Sequence, residues 1–410
     1  MPYNFLFASW SNLGDLGPML TGARQLRDRG HNVRFIAGQP AREHVLAAGF
    51  AFTPWQRKPN YAPVAQGSDP RRQNGQALIF GPAASHAADT RDAIRSEPTD
   101  ALVAFHVLFG SAMAAEAEGL PYVLLSPSLS ARPLSGVPPL HSGLRAPRTI
   151  EERAKVDAAG NQYAAFLNEW LPMINEARAS QGLEPLSHVL DAYNHAPRVL
   201  LAVSSAFDFP ADYLPANTRY IGPLLDDSPW TQPWDSRWSV GPEHPRALVF
   251  LGTTDQNQAA VLQRIINAVG DIEMEAVVTV GPIFDPARFQ APQNVIVLSS
   301  VPHDAVMTEV SLAVVHGGHG SVNRALLHDL PLLVMPLGRD QSDNAVRVED
   351  RGAGLTLPPS ASETEIATAL KRLIHECSFR EAARTLAQAI ANEIKAQRFV
   401  TEVEEVVNFR

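Results

Sequence analysis

The stretch from Leu312 to Asn344, LAVVHGGHGSVNRALLHDLPLLVMPLGRDQSDN, contains the pattern that decides the fold. Its opening run, LAVV, is apolar throughout, which is typical of a strand buried on both faces of a parallel sheet. A glycine-rich turn follows, then a short helix from Val322 to His328, and then a second apolar run, LLVM. Strand, helix and strand in this order form a βαβ unit, so the sequence predicts a doubly wound α/β sheet.

The turn His316-Gly317-Gly318-His319-Gly320-Ser321 is the first candidate site. Its glycines let the chain turn sharply and bring bare N–H groups close to a ligand. The helix that follows adds a positive dipole end and unpaired donors, both of which favour an anion. His316 and His319 could contribute imidazole N–H groups, and Ser321 a hydroxyl. The pattern predicts a phosphate site, although a glycine-rich turn alone also occurs where nothing binds.

Asp340, Gln341 and Asn344 follow the second strand, at the edge where open parallel sheets bind ligands. Together with the glycine turn they resemble the nucleotide-sugar signature of the family-1, UDP-glycosyltransferase-like enzymes, and among these the bacterial glycosyltransferases that decorate antibiotics and other natural products. The resemblance implies a GT-B fold, in which two Rossmann-like doubly wound domains face each other across a cleft. It also implies that His316 and residues 317–321 hold the donor diphosphate, while Asp340 and Gln341 bind the sugar hydroxyls.

The rest of the chain divides into two halves that each alternate strands with helices, as two such sheets require. By resemblance, residues 1–221 form the acceptor-binding domain and residues 246–390 the nucleotide-sugar-binding domain. Residues 391–410 are expected to form a helix that crosses back to the first domain. Residues 222–245 contain five prolines and little periodicity, so they are assigned to the linker.

Three tryptophans recur every four residues in this linker, Trp230, Trp234 and Trp238. The spacing predicts a short helix packed on a domain face.

Asp15 is the first candidate for the catalytic base. The segment Gly14-Asp15-Leu16-Gly17-Pro18 matches the family segment in which a histidine base usually follows the first glycine, and some glycopeptide-antibiotic enzymes carry Asp there as well. Pro18 predicts the start of a helix, and a nearby helix N-terminus lowers the pKa of a carboxyl, which weakens it as a base. A simple helix-capping role for Asp15 is the structural alternative.

His106 follows the predicted strand Ala101–Phe105, where family members often carry an acidic partner of the base. His106 could therefore pair with Asp15 in reversed order, with the imidazole as base and the carboxylate orienting it. A histidine at a strand end that serves only as a structural hydrogen-bonding group is the alternative.

The acceptor site is assigned to two regions. Residues 54–76 form a long polar loop, which is either an acceptor entrance or a plain surface loop. Residues 150–180 predict a long helix whose aromatic face either walls the acceptor pocket or packs in the core. With the polar residue beside Asp15, the expected acceptor contacts are Asn12, Trp55, Tyr61, Phe105, Tyr163, Phe166 and Trp170.

Gly252 and Thr253 resemble the family's second loop for the donor phosphates. The family often stacks the donor's base on a Trp two residues before a proline, but here Ser300 precedes Pro302. Contacts from Ser300 and the backbone of Val301 would replace that stacking, which leaves both uridine and thymidine diphosphates open.

Composition limits the remaining classes of function. The formal charge of -9, without a Lys/Arg block, argues against nucleic acid. Cys377 is the single cysteine, so no internal disulfide forms. No signal peptide, membrane-length apolar run or metal-ligand cluster is seen, so a cytoplasmic protein without membrane insertion, metal or cofactor is expected.

These observations predict an inverting, metal-independent glycosyltransferase of class EC 2.4. It would move a sugar from a UDP- or TDP-sugar to a hydroxyl of a hydrophobic natural product, such as a polyketide or macrolide antibiotic. The alternatives are a nucleotide-sugar epimerase or phosphorylase on the same fold, and an inactive homologue that only binds the ligand. A dehydrogenase is disfavoured because NLGDLG lacks the spaced glycines of a dinucleotide loop. A homodimer is a possible assembly.

Overall fold

A computed structural model of the chain describes residues 1–61, 69–225, 234–241, 243–252 and 254–408. The strands of the amino-terminal half are β1 (Asn4–Ser9), β2 (Asn32–Ala37), β3 (Ala51–Pro54), β4 (Ala101–Phe105), β5 (Tyr122–Ser126), β6 (Arg198–Leu201) and β7 (Thr218–Tyr220). Those of the carboxyl-terminal half are β8 (Arg246–Phe250), β9 (Glu275–Thr279), β10 (Val295–Leu298), β11 (Leu312–Val315), β12 (Leu332–Val334) and β13 (Gly354–Thr356).

The helices cover both faces of the two sheets. In the first half they are α1 (Leu13–Asp28), α2 (Arg42–Ala47), α3 (Pro70–Asn74), α4 (Ala83–Ser96), α5 (Phe109–Ala117), α6 (Ile150–Asn168), α7 (Leu171–Ser180) and α8 (Ala192–His195). In the second half they are α9 (Ala259–Gly270), α10 (His303–Met307), α11 (His319–Leu327), α12 (Gln341–Asp350), α13 (Glu363–His375), α14 (Cys377–Lys395) and α15 (Arg398–Asn408).

Both sheets are parallel and doubly wound. The first has the strand order β3-β2-β1-β4-β5-β6-β7 and the second β10-β9-β8-β11-β12-β13. The order reverses between β1 and β4 in the first sheet and between β8 and β11 in the second, which are the points where such sheets bind ligands. Strands β4 and β11 are fully apolar and buried on both faces, as the run at Leu312–Val315 predicted.

Several predicted helix boundaries are wrong. Helix α1 begins at Leu13, so Pro18 lies inside it rather than in its first turn. Helix α11 likewise begins at His319, within the glycine turn. The stretch 150–180 is two helices, because the chain breaks at residues 169–170.

The linker contains no helix in its described residues. Trp234 and Trp238 lie in irregular chain, and their indole N–H groups donate to Glu309 Oε2 at 3.1 and 2.5 Å. The predicted tryptophan helix is therefore wrong for these two residues, while Trp230 lies outside the described residues.

The end of the chain returns to the amino-terminal domain. The proposed boundary at residues 390 and 391 falls inside α14, and the turn lies at Gln397, whose φ is 48°. Helix α15 then packs on the first sheet's helices, with Glu404 contacting Arg29 and His31 at 3.0 Å. In the described ranges no helix is long and apolar enough to cross a membrane.

Candidate active site

Asp15 lies in the first turn of α1, just beyond β1, and points into the cleft between the sheets. Asn12 donates its side-chain N–H to Asp15 Oδ2 at 3.1 Å. Burial raises the pKa of Asp15 to about 6; the Asn12 hydrogen bond acts against this, and the negative charge of Asp340, on the other sheet, adds to it. The predicted lowering of this pKa by the helix N-terminus is therefore wrong, because loss of water outweighs the dipole.

The helix-capping alternative for Asp15 also finds no support. Helix α1 has Asn12 as its N-cap residue and no side-chain capping bond. The carboxyl of Asp15 is thus not used to complete its own helix.

The glycine turn packs around the ring of His316. A Cβ on Gly318 would lie 2.6 Å from His316 Nε2, and one on Gly252, whose φ is +88°, would lie 3.1 Å from it. Only glycine leaves room for the ring at these two positions. Burial lowers the pKa of His316 to about 4, with Asp340 acting against that, so the imidazole is neutral near pH 7.

Helix α11 starts directly after this ring with an uncapped N-terminus. Its N-cap residue is Gly318, which has no side chain to satisfy the first N–H groups. Gly320 is exposed and has open space around it, and Ser321 is half-buried beside it. The turn therefore presents free backbone donors to the cleft.

Gly317 serves the packing between neighbouring loops. Its φ is +97°, and a Cβ here would lie 2.8 Å from the carbonyl oxygen of Gln341. Close approach of β11 to the start of α12 thus depends on this glycine.

Asp340 and Gln341 differ in what their side chains can reach. Asp340 is half-buried at the cleft, where its Oδ2 accepts from Asn344 at 3.2 Å. Gln341 is 2% exposed; its Oε1 accepts from the N–H groups of residues 337 and 338, and its Nε2 donates to Gln256. These hydrogen bonds hold the loop, and the sugar contact of the Gln341 side chain stays a prediction.

The ring of His319 also makes hydrogen bonds within the protein. Its Nε2 lies 3.1 Å from the carbonyl oxygen of Ala202, in the amino-terminal domain, and Asn323 and Asn344 pack against the same ring. The ring of His319 thus bonds across the domain interface, and its contact to a phosphate stays a prediction.

His106 and Asp15 do not form the predicted couple. His106 is 7% exposed at the end of β4, and burial lowers its pKa to about 3. Across the described ranges no hydrogen bond or ion pair joins it to Asp15. A neutral, buried imidazole of this kind is a poor base, so Asp15 is left as the candidate.

The residues assigned to the donor's base lie near the end of β10. Ser300 is exposed, and Val301 is 7% exposed with its side chain in the core. His303 follows, with its ring tilted by 42° against that of Phe250 and the ring centroids 4.5 Å apart. Thr253 lies outside the described residues.

Two of the predicted acceptor contacts belong to the core. Phe105 is 2% exposed and packs on Trp10 at 4.6 Å between ring centroids. Trp170 is 8% exposed and stacks on Phe80 at 5.3 Å. Contact with an acceptor is thus contradicted for both rings.

The other acceptor candidates keep part of their surface exposed. Trp55 stacks on His86 at 4.3 Å, and Tyr61 packs its ring against Gly81. Phe166 lies under Arg71, with the guanidinium carbon 5.8 Å from the ring centroid. Tyr163 is half-buried, and burial together with the charge of Asp343 raises its pKa to about 12.

Two residues at the site were missed in the sequence. Arg339 is exposed with φ at 57°, and its charge acts on both Asp15 and His316. Asp343 is 2% exposed and bonds to the amino-terminal domain. The signal available in the sequence was that both residues are charged and lie within one helical turn of Asp340. Among the described residues, no three His, Cys, Asp or Glu side chains cluster as metal ligands would.

Known proteins share this architecture and part of the sequence. Residues 263–406 match the family described as erythromycin biosynthesis protein CIII-like, C-terminal domain. The chain is 27% identical over 400 residues to 4'-demethylrebeccamycin synthase of Lentzea aerocolonigenes, which covers 92% of each chain.

Solved structures extend the match to the whole chain. The calicheamicin glycosyltransferase CalG4 aligns with a TM-score of 0.76 at 20% identity, covering 100% of this chain and 99% of its own. The glycosyltransferase VinC, solved in complex with dTDP, aligns with a TM-score of 0.72 at 20% identity, covering 99% of this chain and 100% of its own. The GT-B fold predicted from the sequence is confirmed, the carboxyl-terminal region matches the EryCIII-like family model, and the sequence is similar to that of a bacterial natural-product enzyme.

Proposed function

We propose that the protein is an inverting, metal-independent glycosyltransferase that moves a sugar from a nucleoside diphosphate sugar to a hydroxyl of a hydrophobic natural product. The observation that carries the proposal is that candidate residues of the two domains lie close enough across the cleft for their charges to interact. The charge of Asp340, in the carboxyl-terminal domain, acts both on Asp15, in the amino-terminal domain, and on His316. A base and a diphosphate site thus face each other.

The chemistry is one displacement at the anomeric carbon. The acceptor oxygen attacks that carbon as Asp15 takes its proton, and a new carbon–oxygen bond forms. The bond between the anomeric carbon and the donor phosphate oxygen breaks, and the diphosphate leaves with the electron pair. Because attack and departure occur on opposite faces, a single displacement inverts the anomeric configuration.

Asp15 suits the role of base in this step. A general base works best when its pKa lies near the operating pH, and the raised value of about 6 brings an ordinarily weak carboxylate close to that range. Asn12, bonded to Oδ2, fixes the carboxylate orientation. Asp15 then receives the proton as the acceptor oxygen loses it.

Charge on the leaving diphosphate is balanced by fixed groups of the chain. The uncapped start of α11 offers backbone N–H donors and the positive dipole end. His316 offers a neutral imidazole N–H, and Arg339 a mobile positive charge at the cleft. These groups do the electrostatic work for which other enzymes use a metal ion.

The substrate classes rest on the relatives and on the site. VinC was solved with dTDP, which supports a thymidine diphosphate sugar as donor, and 4'-demethylrebeccamycin synthase is named for a natural product, which supports a natural-product acceptor. An exposed apolar side chain beside Asp15 agrees with an apolar acceptor, since Leu13, in the first turn of α1, is 46% exposed.

Transfer is tested with UDP-glucose and TDP-deoxysugars against a panel of aromatic polyketides and macrolides, with mass spectrometry as the readout. The variants are Asp15→Asn and, as a matched control on the same helix, Asp28→Asn, whose side chain is 71% exposed. We expect Asp15→Asn to lose about 10²–10⁴-fold in kcat, the usual contribution of a general base, with donor binding retained. Asp28→Asn should keep the wild-type rate.

Two further readouts define the mechanism. Proton NMR coupling at the anomeric centre of the product should show inversion relative to the donor, and EDTA should leave the rate unchanged. Interconversion of the donor sugar without any acceptor would indicate an epimerase, and tight donor binding without turnover across the panel would indicate an inactive binder. Either result would overturn the proposal.

A further inference from the structure

A carboxylate of the donor domain holds a loop of the acceptor domain. Asp343, on α12, accepts the backbone N–H of His141 on Oδ2 at 2.6 Å and that of Gly143 on Oδ1 at 2.8 Å. The carboxylate is buried, at 2% exposure for the residue. Burial raises the pKa of Asp343, while the two N–H groups and Arg347 act against that.

The loop adopts an unusual backbone conformation to reach this carboxylate. His141 has φ of 68° and Gly143 φ of 60°, both in the left-handed region. That region costs a non-glycine residue such as His141 about 1 kcal/mol or more. Left-handed residues turn successive N–H groups toward one point and so form a nest for an anion. The carboxylate of Asp343 is the anion that this nest encloses.

The contact joins the two substrate sites. Asp343 lies one turn after Asp340 on the same helix, so it moves with the proposed sugar contact. On the other side its charge reaches Tyr163, which is a candidate for the acceptor wall. Pro139 and Leu140 of the loop line, with Asp343 and Arg347, a small cavity of about 10 Å³ at the domain interface.

We propose that Asp343 is a positioning residue for glycosyl transfer, which fastens residues 139–145 of the acceptor domain to the donor helix and thereby sets the acceptor against the donor sugar. The proposal rests on the proposed function for its kinetic consequence, but the fastening itself is independent of it. Nearby ion pairs, Arg145 with Glu349 and Arg148 with Asp350, lie at the surface. They add little, because water screens exposed pairs.

Asp343→Asn is the direct test, because the amide has nearly the shape of the carboxylate but offers only one acceptor oxygen. One backbone N–H then faces an NH₂ group and loses its partner. Asp350→Asn is the matched control, since Asp350 is on the same helix and contacts the same loop through Arg148 at 2.6 Å.

Hydrogen exchange measures the fastening directly. In the wild type and in Asp350→Asn, the peptide that contains residues 141–143 should be protected, and in Asp343→Asn its exchange should speed up by about tenfold or more, the factor that follows from losing a buried hydrogen bond. Unchanged exchange in Asp343→Asn would overturn the proposal.

Steady-state kinetics measure the consequence. We expect Asp343→Asn to raise the acceptor KM about tenfold, while the donor KM and the rate of donor hydrolysis stay within about twofold. Equal losses in the donor and acceptor parameters together with a lowered Tm would show a merely structural role, and would overturn the proposal.

A variant on the loop side covers the case in which Asp343→Asn folds poorly. Gly143→Ala strains a residue with φ of 60°, and its new Cβ would lie 3.3 Å from the Cβ of Ser342. It leaves α12 and its carboxylate in place and should give the same split between acceptor and donor KM. If the wild-type chain transfers no sugar at all, the proposed function fails, whereas the exchange measurement still decides whether Asp343 fastens the loop.

Discussion

Asp15, in the first turn of α1, and Asp340, the N-cap residue of α12, belong to different domains, yet the charge of Asp340 contributes to the raised pKa of Asp15. Burial is the larger cause, and the Asn12 hydrogen bond acts in the opposite direction. The ionisation of the proposed base in one domain thus depends on a proposed sugar contact in the other. Changes at Asp340 should therefore be detectable in the titration of Asp15.

The first prediction concerns the pH dependence of transfer. The base must be ionised to accept a proton, so kcat/KM should rise with pH and level off above about 6, the pKa of Asp15. Asp340→Asn removes a neighbouring negative charge, so the acidic limb should move to lower pH, whatever happens to the absolute rate. The pH–rate profile at saturating donor measures this, with Asp350→Asn as a control on the same helix. A limb that stays in place in Asp340→Asn would contradict the electrostatic link.

The second prediction concerns stability. The folded protein raises the pKa of Asp15 from its usual 3.8 to about 6, so protonated Asp15 favours folding below about pH 4, and this contribution is lost as pH rises through about 6. At pH 7 the ionised carboxylate opposes folding by up to about 3 kcal/mol. Asp15→Asn should therefore be more stable than wild type at pH 7, by about 1–3 kcal/mol, and the gain should vanish near pH 4. Urea unfolding at both pH values measures the difference, and equal stabilities at pH 7 would contradict the burial of this charge.

The sheets were predictable because their strands are short apolar runs. Ala101–Phe105 and Leu312–Val315 have the predicted bounds, since burial on both faces leaves a continuous apolar signal in the sequence. The starts of α1 and α11 were not predictable in the same way. Glycines there indicated loops, whereas the helices already begin at Leu13 and at His319.

The location of the site was also predictable, but not the direction of each side chain. Spacing after the strands placed Asp15, His316 and Asp340 at the edge where the sheets bind ligands. The orientation of His319 depends instead on a carbonyl at Ala202, and that of Gln341 on Gln256. These partners lie far from His319 and Gln341 in the sequence, so no local sequence pattern predicts the contacts.

The third prediction concerns the ion pair between the domains. Arg347 Nε donates to Asp208 Oδ1 at 2.8 Å, and both side chains are 2% exposed. Arg347→Met leaves the Asp208 carboxylate buried without its partner, which should cost about 3–5 kcal/mol of the free energy of unfolding. The control is Arg148→Gln, which breaks a pair whose arginine is 73% exposed and should cost about 1 kcal/mol or less.

Urea titration and calorimetry of both variants decide this third prediction. The double variant Arg347→Met with Asp208→Leu should recover part of the loss, because no unpaired charge stays buried. Similar losses for Arg347→Met and Arg148→Gln would contradict the assignment of a buried pair.

The fourth prediction concerns the glycine turn at the diphosphate site. A Cβ on Gly318 would lie 2.6 Å from His316 Nε2, a separation that real side chains avoid, so Gly318→Ala must push the ring out of place. We expect this variant to weaken binding of UDP or TDP, measured by calorimetry, and to lower the Tm. In His316→Ala the ring is absent, so adding Gly318→Ala should cost little more in stability, a non-additivity typical of residues in contact. Additive losses in the double variant would mean that the glycine serves another purpose than making room for this ring.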